Sequence, residues 1–297
     1  MSLDKNILKA NLENIKVDID LFGQEHKRLS MQDRIGFLPI SIWKPDWTVT
    51  NELKKVVGDS GGSRVLDKNS KIFRQGGRYG SKKQSDVENQ SSIFNPHLAQ
   101  MILSAYCPVN AKIYDAFGGG GTRGFIASAM GYDYTGIELR QNEVDRILEQ
   151  QHELNQRFNI ICADSREYEI EDSIYDFSYS CPPYYDLEIY SDLEGDISNA
   201  QTYDDFLAML KESLLITYKG LKKDSLCVWV VGNFRDKNKN LVHFNGDVVR
   251  LGKEIGFNLH DELIFWGASG SAVLRSGNFV ANRRSVRVHE QIIIFKK

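Results

Sequence analysis

The sequence predicts a three-layer α/β fold built on a mostly parallel sheet. From Asn95 onward, strand-like segments alternate with helix-like segments, which is typical of parallel strands joined by crossover helices. A glycine-rich turn, AFGGGGTRGF, follows the first of these strands, at the edge where α/β sheets bind ligands. The last two predicted strands have no helix between them, so we expect the final strand to run antiparallel to its neighbour.

The first predicted elements form a βαβ unit around the glycine-rich turn. The strand 112–115 ends where the glycines begin, the helix 122–129 starts directly after them, and the strand 133–137 completes the unit. The alternation predicts the remaining strands at 158–162, 175–180, 226–231, 260–266 and 290–295. It predicts the remaining helices at 96–104, 141–155, 203–219 and 245–255.

The first 90 residues have no recognisable motif. A polar amphipathic helix is expected over 5–17, and the prolines of FLPISIWKPDW exclude a long helix there. We therefore divide the chain into an accessory region, 1–90, and a catalytic domain, 91–297, with a basic loop at 267–288.

Composition limits the class of protein. The chain has 297 residues, 41% of them hydrophobic and 26% charged, which is enough to bury a sizeable core. No apolar run approaches the roughly 18 residues of a membrane span, and the polar start is unlike a signal peptide. The four cysteines are far apart and lack metal-ligand spacing. We expect a cytoplasmic protein that needs neither a membrane nor a metal.

Charge is distributed unevenly, although the net charge is only −3. The stretch 64–83 carries seven basic residues, among them Arg74 and Arg78, against one acid, Asp67. Such a stretch can follow the phosphates of a nucleic acid. It also fits a solvated Gly/Ser-rich loop, since little in it can be buried.

The glycine-rich turn predicts a cofactor site. Gly119, Gly121 and Gly124 satisfy G-x-G-x-x-G directly before a helix, which lets the backbone approach a nucleotide-like ligand. Glu138, at the end of the next strand, is placed to accept from ribose hydroxyls. Asp164 ends the third strand, where it could accept from an adenine amine. Alone, this pattern also fits a dinucleotide-binding dehydrogenase.

The segment SYSCPPYYD predicts the chemistry. The segment contains Cys181, Pro182 and Pro183. Because Pro183 has no N–H group, the backbone carbonyls of Cys181 and Pro182 are left to accept hydrogen bonds. Tyr184 and Tyr185 offer rings for stacking. These groups suit an amine on an aromatic ring, which is a poor nucleophile until its N–H bonds are held by acceptors.

Together these segments resemble the DNA amino-methyltransferases, which use S-adenosylmethionine to modify adenine N6 or cytosine N4. The resemblance covers roughly 92–297 and includes SIFNPHLAQMIL ahead of the glycines and the terminal HEQIIIF. It implies a Rossmann-like methyltransferase fold, S-adenosylmethionine as cofactor and DNA as partner. Carried over residue by residue, it implies cofactor contacts by five residues: Phe94, Asn95, Asp115, Phe117 and Glu138.

One position departs from that family. Cys181 stands where the family usually has Asp, Asn or Ser, and a thiol is only a weak acceptor. Three interpretations remain open: Cys181 replaces the acceptor, Ser180 or Asp186 supplies it, or the thiolate attacks a pyrimidine carbon and makes the protein a cytosine C5 methylase.

A duplex target requires the base to be extruded into the pocket. The basic loop 267–288, which contains Arg275, Arg283 and Arg284, is expected to contact DNA together with Arg74 and Arg78. The loop also fits a solvated hairpin. Other readings of the whole chain are an RNA or protein-amide N-methyltransferase and a catalytically silent DNA-binding module.

Overall fold

The computed structural model describes residues 40–57, 94–185, 190–267 and 282–297, and the backbone of two short strands. These strands, β1 (Val17–Ile19) and β2 (Glu25–Lys27), pair antiparallel with each other. The helix expected over 5–17 lies outside the described residues except for Val17, which belongs to β1 and not to a helix.

Eight strands form the main sheet. They are β3 (Ile42–Trp43), β4 (Lys112–Asp115), β5 (Asp133–Glu138), β6 (Asn159–Cys162), β7 (Tyr175–Ser180), β8 (Leu221–Val231), β11 (Asn258–Trp266) and β12 (His289–Lys296). Two further strands, β9 (Phe234–Arg235) and β10 (Leu241–Val242), pair only with each other. The order across the main sheet is β3-β11-β12-β8-β7-β4-β5-β6.

Strand direction in the main sheet agrees with the prediction. β12 runs antiparallel to both of its neighbours, β11 and β8, while the other neighbouring pairs among the described strands are parallel. The expected antiparallel final strand is therefore confirmed. The connection between β11 and β12 needs no crossover helix because the two strands form an antiparallel pair.

In the described part of the chain, six α-helices cover the two faces of the sheet. They are α1 (Trp47–Val56), α2 (Pro96–Tyr106), α3 (Thr122–Ala129), α4 (Gln141–Glu153), α5 (Tyr203–Gly220) and α6 (Phe244–Ile255). Helices α1 to α4 bury their apolar side chains in one core, which contains Leu53 and Phe125. Helices α5 and α6 bury theirs in a second core, which contains Leu214 and Val248. Two cores on opposite faces give three layers.

The ends of the helices follow local sequence signals. Asn95 caps α2 by accepting from the backbone N–H groups of His97 and Leu98, and Pro96 occupies the first turn. A capping box formed by Thr202 and Asp205 starts α5.

Strand β3 and helix α1 were not predicted. β3 has only two residues, too few for an alternating pattern, and it forms by pairing with β11, as in the 2.8 Å bond from Ile264 N–H to the Ser41 carbonyl. The start of α1 had a usable signal, because Asp46 caps it by accepting from Thr48 N–H at 2.8 Å. Both elements lie within 1–90 and pack on the sheet and on α2 and α3.

The sheet order determines where a ligand site can form. Strands β4 to β8 are parallel, and the order reverses between β4 and β7, so the loops after their carboxyl ends diverge and leave a crevice. β12 runs the other way and therefore brings its first residues to that same edge. None of the helices in the described part of the chain has both the length and the apolar character that a membrane crossing requires.

Candidate active site

A cavity of about 340 Å³ opens at this edge of the sheet. Loops that follow β4, β5, β6 and β7 form its wall, together with the start of β12. Ten of the sequence-predicted residues line it: Phe94, Asn95, Phe117, Gly119, Glu138, Asp164, Cys181, Pro182, Pro183 and Tyr184. Asp115 and Gly121 do not line it and lie behind its wall. The structure thus brings the predicted cofactor residues and the Pro-Pro segment to one place.

The glycine loop has a conformation that other residues would resist. Gly119 lines the cavity with a φ of +53°, in the left-handed region that favours glycine. A Cβ atom on Gly124 would lie 2.5 Å from the ring of Phe158, so glycine here allows α3 to pack closely on the sheet. Gly121 is the N-cap of α3 and provides no side-chain cap, and the positive end of the helix dipole lies at this terminus.

Asp115 supports the loop from below. Its carboxylate is fully buried and accepts four hydrogen bonds, from Phe117 N–H at 3.0 Å, Arg123 Nε at 2.6 Å, Tyr134 Oη at 2.6 Å and Ser180 Oγ at 2.8 Å. Because all these donors belong to the protein, Asp115 shapes the cavity without lining it.

Arg123 is a cavity residue that the sequence reasoning missed. It lies at the start of α3, is 5% exposed, and also donates to the carbonyl of Phe117. Its guanidinium carbon is 5.0 Å from the ring centre of Phe94 and 5.7 Å from that of Tyr179. Burial is the largest single influence and would lower the pKa of Arg123, but the charge of Asp115, the hydrogen bond to it and the neighbouring Tyr134 and Cys181 together outweigh burial and raise the pKa. Arg123 is thus a permanent buried cation. The available signal was an arginine within a short, otherwise uncharged helix.

Glu138 and Arg140 form a pair at the end of β5. Oε1 of Glu138 accepts from the N–H of Arg140 at 3.0 Å and from its Nε at 2.9 Å, and both residues are buried and line the cavity. Nη1 of Arg140 is buried without a hydrogen-bond partner among the described residues. The sequence predicted Glu138 as a site residue but not Arg140. Arg140 places a hydrogen-bond donor beside the carboxylate of Glu138.

Asp164 also lines the cavity, but its oxygens are engaged. Both accept from Arg166 at distances of 2.6 to 3.1 Å. The neighbouring wall comes from the segment 190–197, in which Asp196 holds the turn by accepting from Ser191 N–H at 2.8 Å. A Cβ atom on Gly195 would lie 2.5 Å from Oδ2 of Asp164, so this segment packs directly on that carboxylate. The sequence carried no motif for this wall.

The Pro-Pro segment leaves the sheet at the end of β7 and forms the opposite side of the cavity. Tyr184 lines the cavity, and its ring packs edge-on against Phe234 and Phe244, with ring centres 6.3 and 6.0 Å away. Its hydroxyl lies 3.5 Å from Oε1 of Glu290. These contacts support the ring from behind and at its polar tip.

Two further residues proposed for the chemistry lie elsewhere. Ser180 is fully buried, donates to Asp115 and accepts from Ala116 N–H at 3.0 Å, so the expectation that its hydroxyl serves as the amine acceptor is wrong. Tyr185 packs against Tyr203 and Phe206 and does not line the cavity. Asp186, the other alternative acceptor, lies outside the described residues.

The predicted DNA-contacting arginines are not part of the cavity wall. Arg283 is exposed and Arg284 half-buried, on the approach to β12. Nearby, burial followed by the charge of Arg235 lowers the pKa of Arg287, so two cations lie close together on this side. Arg74, Arg78 and Arg275 lie outside the described residues. Within the described ranges, no group of three or more His, Cys, Asp or Glu side chains is arranged to hold a metal ion.

Comparison with known proteins gives structural similarities only. No protein-family model and no curated protein matches the chain. An S-adenosylmethionine-dependent methyltransferase of Methanosarcina mazei is 14% identical over 66% of this chain and 96% of that chain, with a TM-score of 0.46. The 1,6-didemethyltoxoflavin N1-methyltransferase of Burkholderia thailandensis, solved with S-adenosylhomocysteine, is 14% identical over 68% and 77%, with a TM-score of 0.43. A candidate DNA modification methylase of Thermus thermophilus is 16% identical over 46% and 50%, with a TM-score of 0.35.

The strand order itself defines the fold. Seven strands lie in the order β6-β5-β4-β7-β8-β12-β11, parallel except for β12. This is the Rossmann-like methyltransferase fold. The predicted fold class is therefore confirmed, and β3 extends the sheet by one strand at the edge beyond β11.

Proposed function

We propose that this protein transfers a methyl group from S-adenosylmethionine to an exocyclic amine of a DNA base, adenine N6 or cytosine N4. The observation that carries the proposal is that one cavity holds both a cofactor half, with Gly119 and Glu138, and an amine-binding half, at Cys181–Tyr184. Neither half alone would distinguish this reaction from other uses of an α/β sheet edge.

The cofactor half fits S-adenosylmethionine, which supplies the methyl group on a positively charged sulfur. Glu138 offers a carboxylate for the ribose hydroxyls, and Nη1 of Arg140, which has no hydrogen-bond partner among the described residues, offers a donor beside it. The glycine loop and the positive end of α3 suit the carboxylate of the methionine moiety. Asp164 is assigned to the adenine end, where the bidentate contact with Arg166 holds it in place.

The other half fits a planar aromatic amine. The carbonyls of Cys181 and Pro182 provide acceptors just after the end of β7, and Tyr184 provides an aromatic face on which the base can stack. Extruding a base from a duplex costs a few kcal/mol, which stacking and polar contacts in the pocket offset.

Transfer then needs little covalent chemistry from the protein. Acceptors that hold the two N–H bonds would localise the lone pair on the nitrogen, so that the amine could attack the methyl group. Bound S-adenosylmethionine would supply that methyl group, and its C–S bond would break as the new N–C bond forms, leaving a neutral thioether. The nitrogen gains a positive charge and loses one proton, so the products are the N-methylated base, S-adenosylhomocysteine and H⁺.

The decisive test is incubation with labelled S-adenosylmethionine and unmethylated DNA, followed by digestion and mass spectrometry of the nucleosides. We expect N6-methyladenine or N4-methylcytosine. Label in 5-methylcytosine would instead make Cys181 a nucleophile, and label only in RNA or protein would replace the substrate class. Cofactor binding without transfer to any of these would indicate a silent module.

Two tyrosines provide a matched control for that assay. Tyr184→Ala removes a ring from the cavity wall, so we expect it to lower transfer by more than about tenfold through lost base stacking, which is worth roughly 1–3 kcal/mol. Tyr185→Phe removes only a hydroxyl outside the cavity, which donates to the Gln201 carbonyl at 3.2 Å, and should leave transfer near the wild-type rate. Equal losses in the two variants would contradict the assignment of the amine-binding half.

A further inference from the structure

We propose that Glu290 is a catalytic residue whose carboxylate accepts a hydrogen bond from the target amine and then takes its proton. The inference rests on the proposed function, because it needs an amine in the cavity. It also accounts for position 181, where a weakly accepting thiol stands in place of the Asp, Asn or Ser of the family that the sequence resembles.

The topology brings Glu290 to the reaction edge. β12 is antiparallel to β8 and β11, so its second residue lies where the parallel strands end, with Glu290 opposite Phe265 and the next residue, Gln291, opposite Val231. Glu290 is half-buried and lines the same cavity as Cys181 and Pro183. A residue more than 100 positions from the Pro-Pro segment thereby lines the same cavity as that segment.

Contacts with two tyrosines locate the carboxylate more closely. Tyr184 Oη lies 3.5 Å from Oε1 of Glu290, at the polar tip of the ring assigned to stack on the base. Burial raises the pKa of Tyr179 beneath the cavity, nearby Arg123 lowers it, and the nearby groups Cys181 and Glu290 each raise it. Cys181 and Glu290 therefore lie within electrostatic range of one buried phenol, on the amine-binding side.

The chemistry requires an acceptor of this kind. An exocyclic amine presents two N–H groups, and a backbone carbonyl such as that of Pro182 can take one of them. A carboxylate takes the other more strongly than a thiol would, since hydrogen bonds to ionised acceptors are roughly twice as strong as neutral ones. When the N–C bond has formed, the positively charged nitrogen gives one proton to the Glu290 carboxylate, which passes it to water.

Cys181 lies close to the buried cation Arg123. Arg123 lines the cavity, and its charge interacts with Cys181, but its Nε is held by Asp115. We assign Cys181 the role of a small side chain that leaves room for the amine beside the carbonyls.

The test compares Glu290→Ala, Glu290→Gln and Tyr184→Phe with the wild type, measuring methyl transfer to DNA and the Kd of S-adenosylhomocysteine. Loss of a positioned acid–base group lowers kcat by about 100-fold or more, so we expect at least that loss in Glu290→Ala and a smaller one in Glu290→Gln. The Kd of S-adenosylhomocysteine should stay within about twofold, because Glu290 is assigned to the amine half.

Tyr184→Phe distinguishes two roles for Glu290: accepting a hydrogen bond from the amine, or only positioning the Tyr184 ring. It removes the hydroxyl beside Glu290 but keeps the ring, so we expect a loss of only about fivefold, the equivalent of about 1 kcal/mol for one hydrogen bond. A loss as large as that of Glu290→Ala would overturn the proposal in favour of a positioning role. The proposal would also be overturned if Glu290→Ala transferred methyl groups at a rate within tenfold of the wild-type rate, or if this variant no longer bound S-adenosylhomocysteine.

The failure of this inference can be told apart from failure of the proposed function. A wild-type protein that binds S-adenosylhomocysteine but methylates no DNA base defeats the proposed function. An active wild type accompanied by an active Glu290→Ala variant defeats only the role of Glu290.

Discussion

Nε of Arg123 lies 2.6 Å from Oδ2 of Asp115, and the two side chains form a buried salt bridge under the glycine loop. Asp115 ends β4 and Arg123 begins the helix that follows, so this pair closes the turn between them. Tyr134 and Ser180 add hydroxyl donors to the same carboxylate, which connects β4 to its neighbours β5 and β7. The loop that faces the cavity therefore rests on an ionic network within the sheet.

Asp115→Ala should destabilise the whole domain. It leaves the Arg123 guanidinium buried without its carboxylate, and breaking a buried pair in this way costs about 3–5 kcal/mol. Chemical denaturation of wild type and variant measures the difference in the free energy of unfolding. The matched control is Lys219→Ala, which removes an exposed pair with Asp172 at 3.3 Å and should cost less than about 1 kcal/mol. Similar losses in both variants would show that the network does not support the loop.

Gly119→Ala should weaken cofactor binding beyond its effect on folding. A left-handed conformation costs a non-glycine residue roughly 1–2 kcal/mol, and at Gly119 the added Cβ also lies at the cavity wall. We expect the Kd of S-adenosylhomocysteine to rise by about tenfold or more, the equivalent of 1.4 kcal/mol. Titration calorimetry measures it directly.

Gly131→Ala is the control for that prediction. Gly131 has a φ of +84° and no atom within 4 Å of an added Cβ, and it does not line the cavity. It should lose stability through the same backbone strain but bind S-adenosylhomocysteine as the wild type does. An unchanged Kd in Gly119→Ala would place the cofactor away from the glycine loop.

The double variant Arg283→Gln/Arg284→Gln should reduce DNA affinity and its dependence on salt. Each lost phosphate contact lowers the slope of log K against log salt by about 0.9. Fluorescence anisotropy with a labelled duplex at several salt concentrations measures the slope. Arg157→Gln provides the control, since Arg157 is exposed just before β6, at the opposite end of the parallel strands from the cavity. Equal slopes in the double variant and the wild type would remove these arginines from the DNA interface.

Asp176→Asn should lower stability in a pH-dependent way. Its carboxylate accepts from Lys112 N–H at 2.9 Å and Lys222 Nζ at 2.6 Å. Burial would raise the pKa of Asp176, but these two partners outweigh burial and lower it. A lowered native pKa stabilises the fold above the unfolded value of about 3.9, and the stabilisation is lost as pH falls through the native pKa.

Denaturation of Asp176→Asn at a series of pH values tests this sign. The variant should be less stable than the wild type by about 1 kcal/mol near neutrality, and the gap should close in acid. Asp172→Asn is the comparison, because Asp172 is largely exposed and the ion pair it forms with Lys219 is also exposed. If the difference in the free energy of unfolding between Asp176→Asn and the wild type persisted below the pKa of Asp176 in the unfolded chain, the ion pair would not be its cause.

Much of the fold was predictable because its signals are local. The strands at 112–115 and 175–180 and the helix at 122–129 have the predicted bounds, since each is an apolar or helix-forming run between glycines, prolines or capping residues. β8 begins five residues earlier than the predicted 226, at Leu221, which pairs with Tyr175 of β7. The exposed polar residues KKD follow, and the pairing with β7 resumes at Leu226 after a register shift, so the sequence pattern gave no signal for this early start.

The cofactor half and the amine half were also visible as local motifs, because a glycine turn and a Pro-Pro step constrain the backbone wherever they occur. Glu138 and Tyr184 could be named from their place at the ends of predicted strands. Arg140 and Glu290 could not, because a charged residue in a sequence looks the same whether it is solvated or turned into a cavity.

Local sequence thus determined which segments are strands and helices, where the chain turns at the glycines, and that the final strand is antiparallel. Only the tertiary structure decided which side chains meet. Ser180 turns inward to Asp115, Arg123 becomes a buried cation, and Glu290 comes to line the same cavity as Cys181 because β12 runs antiparallel to its neighbours. The physical reason is that secondary structure follows from interactions a few residues apart, whereas the groups that surround one cavity are brought together by the order and direction of strands distant in sequence.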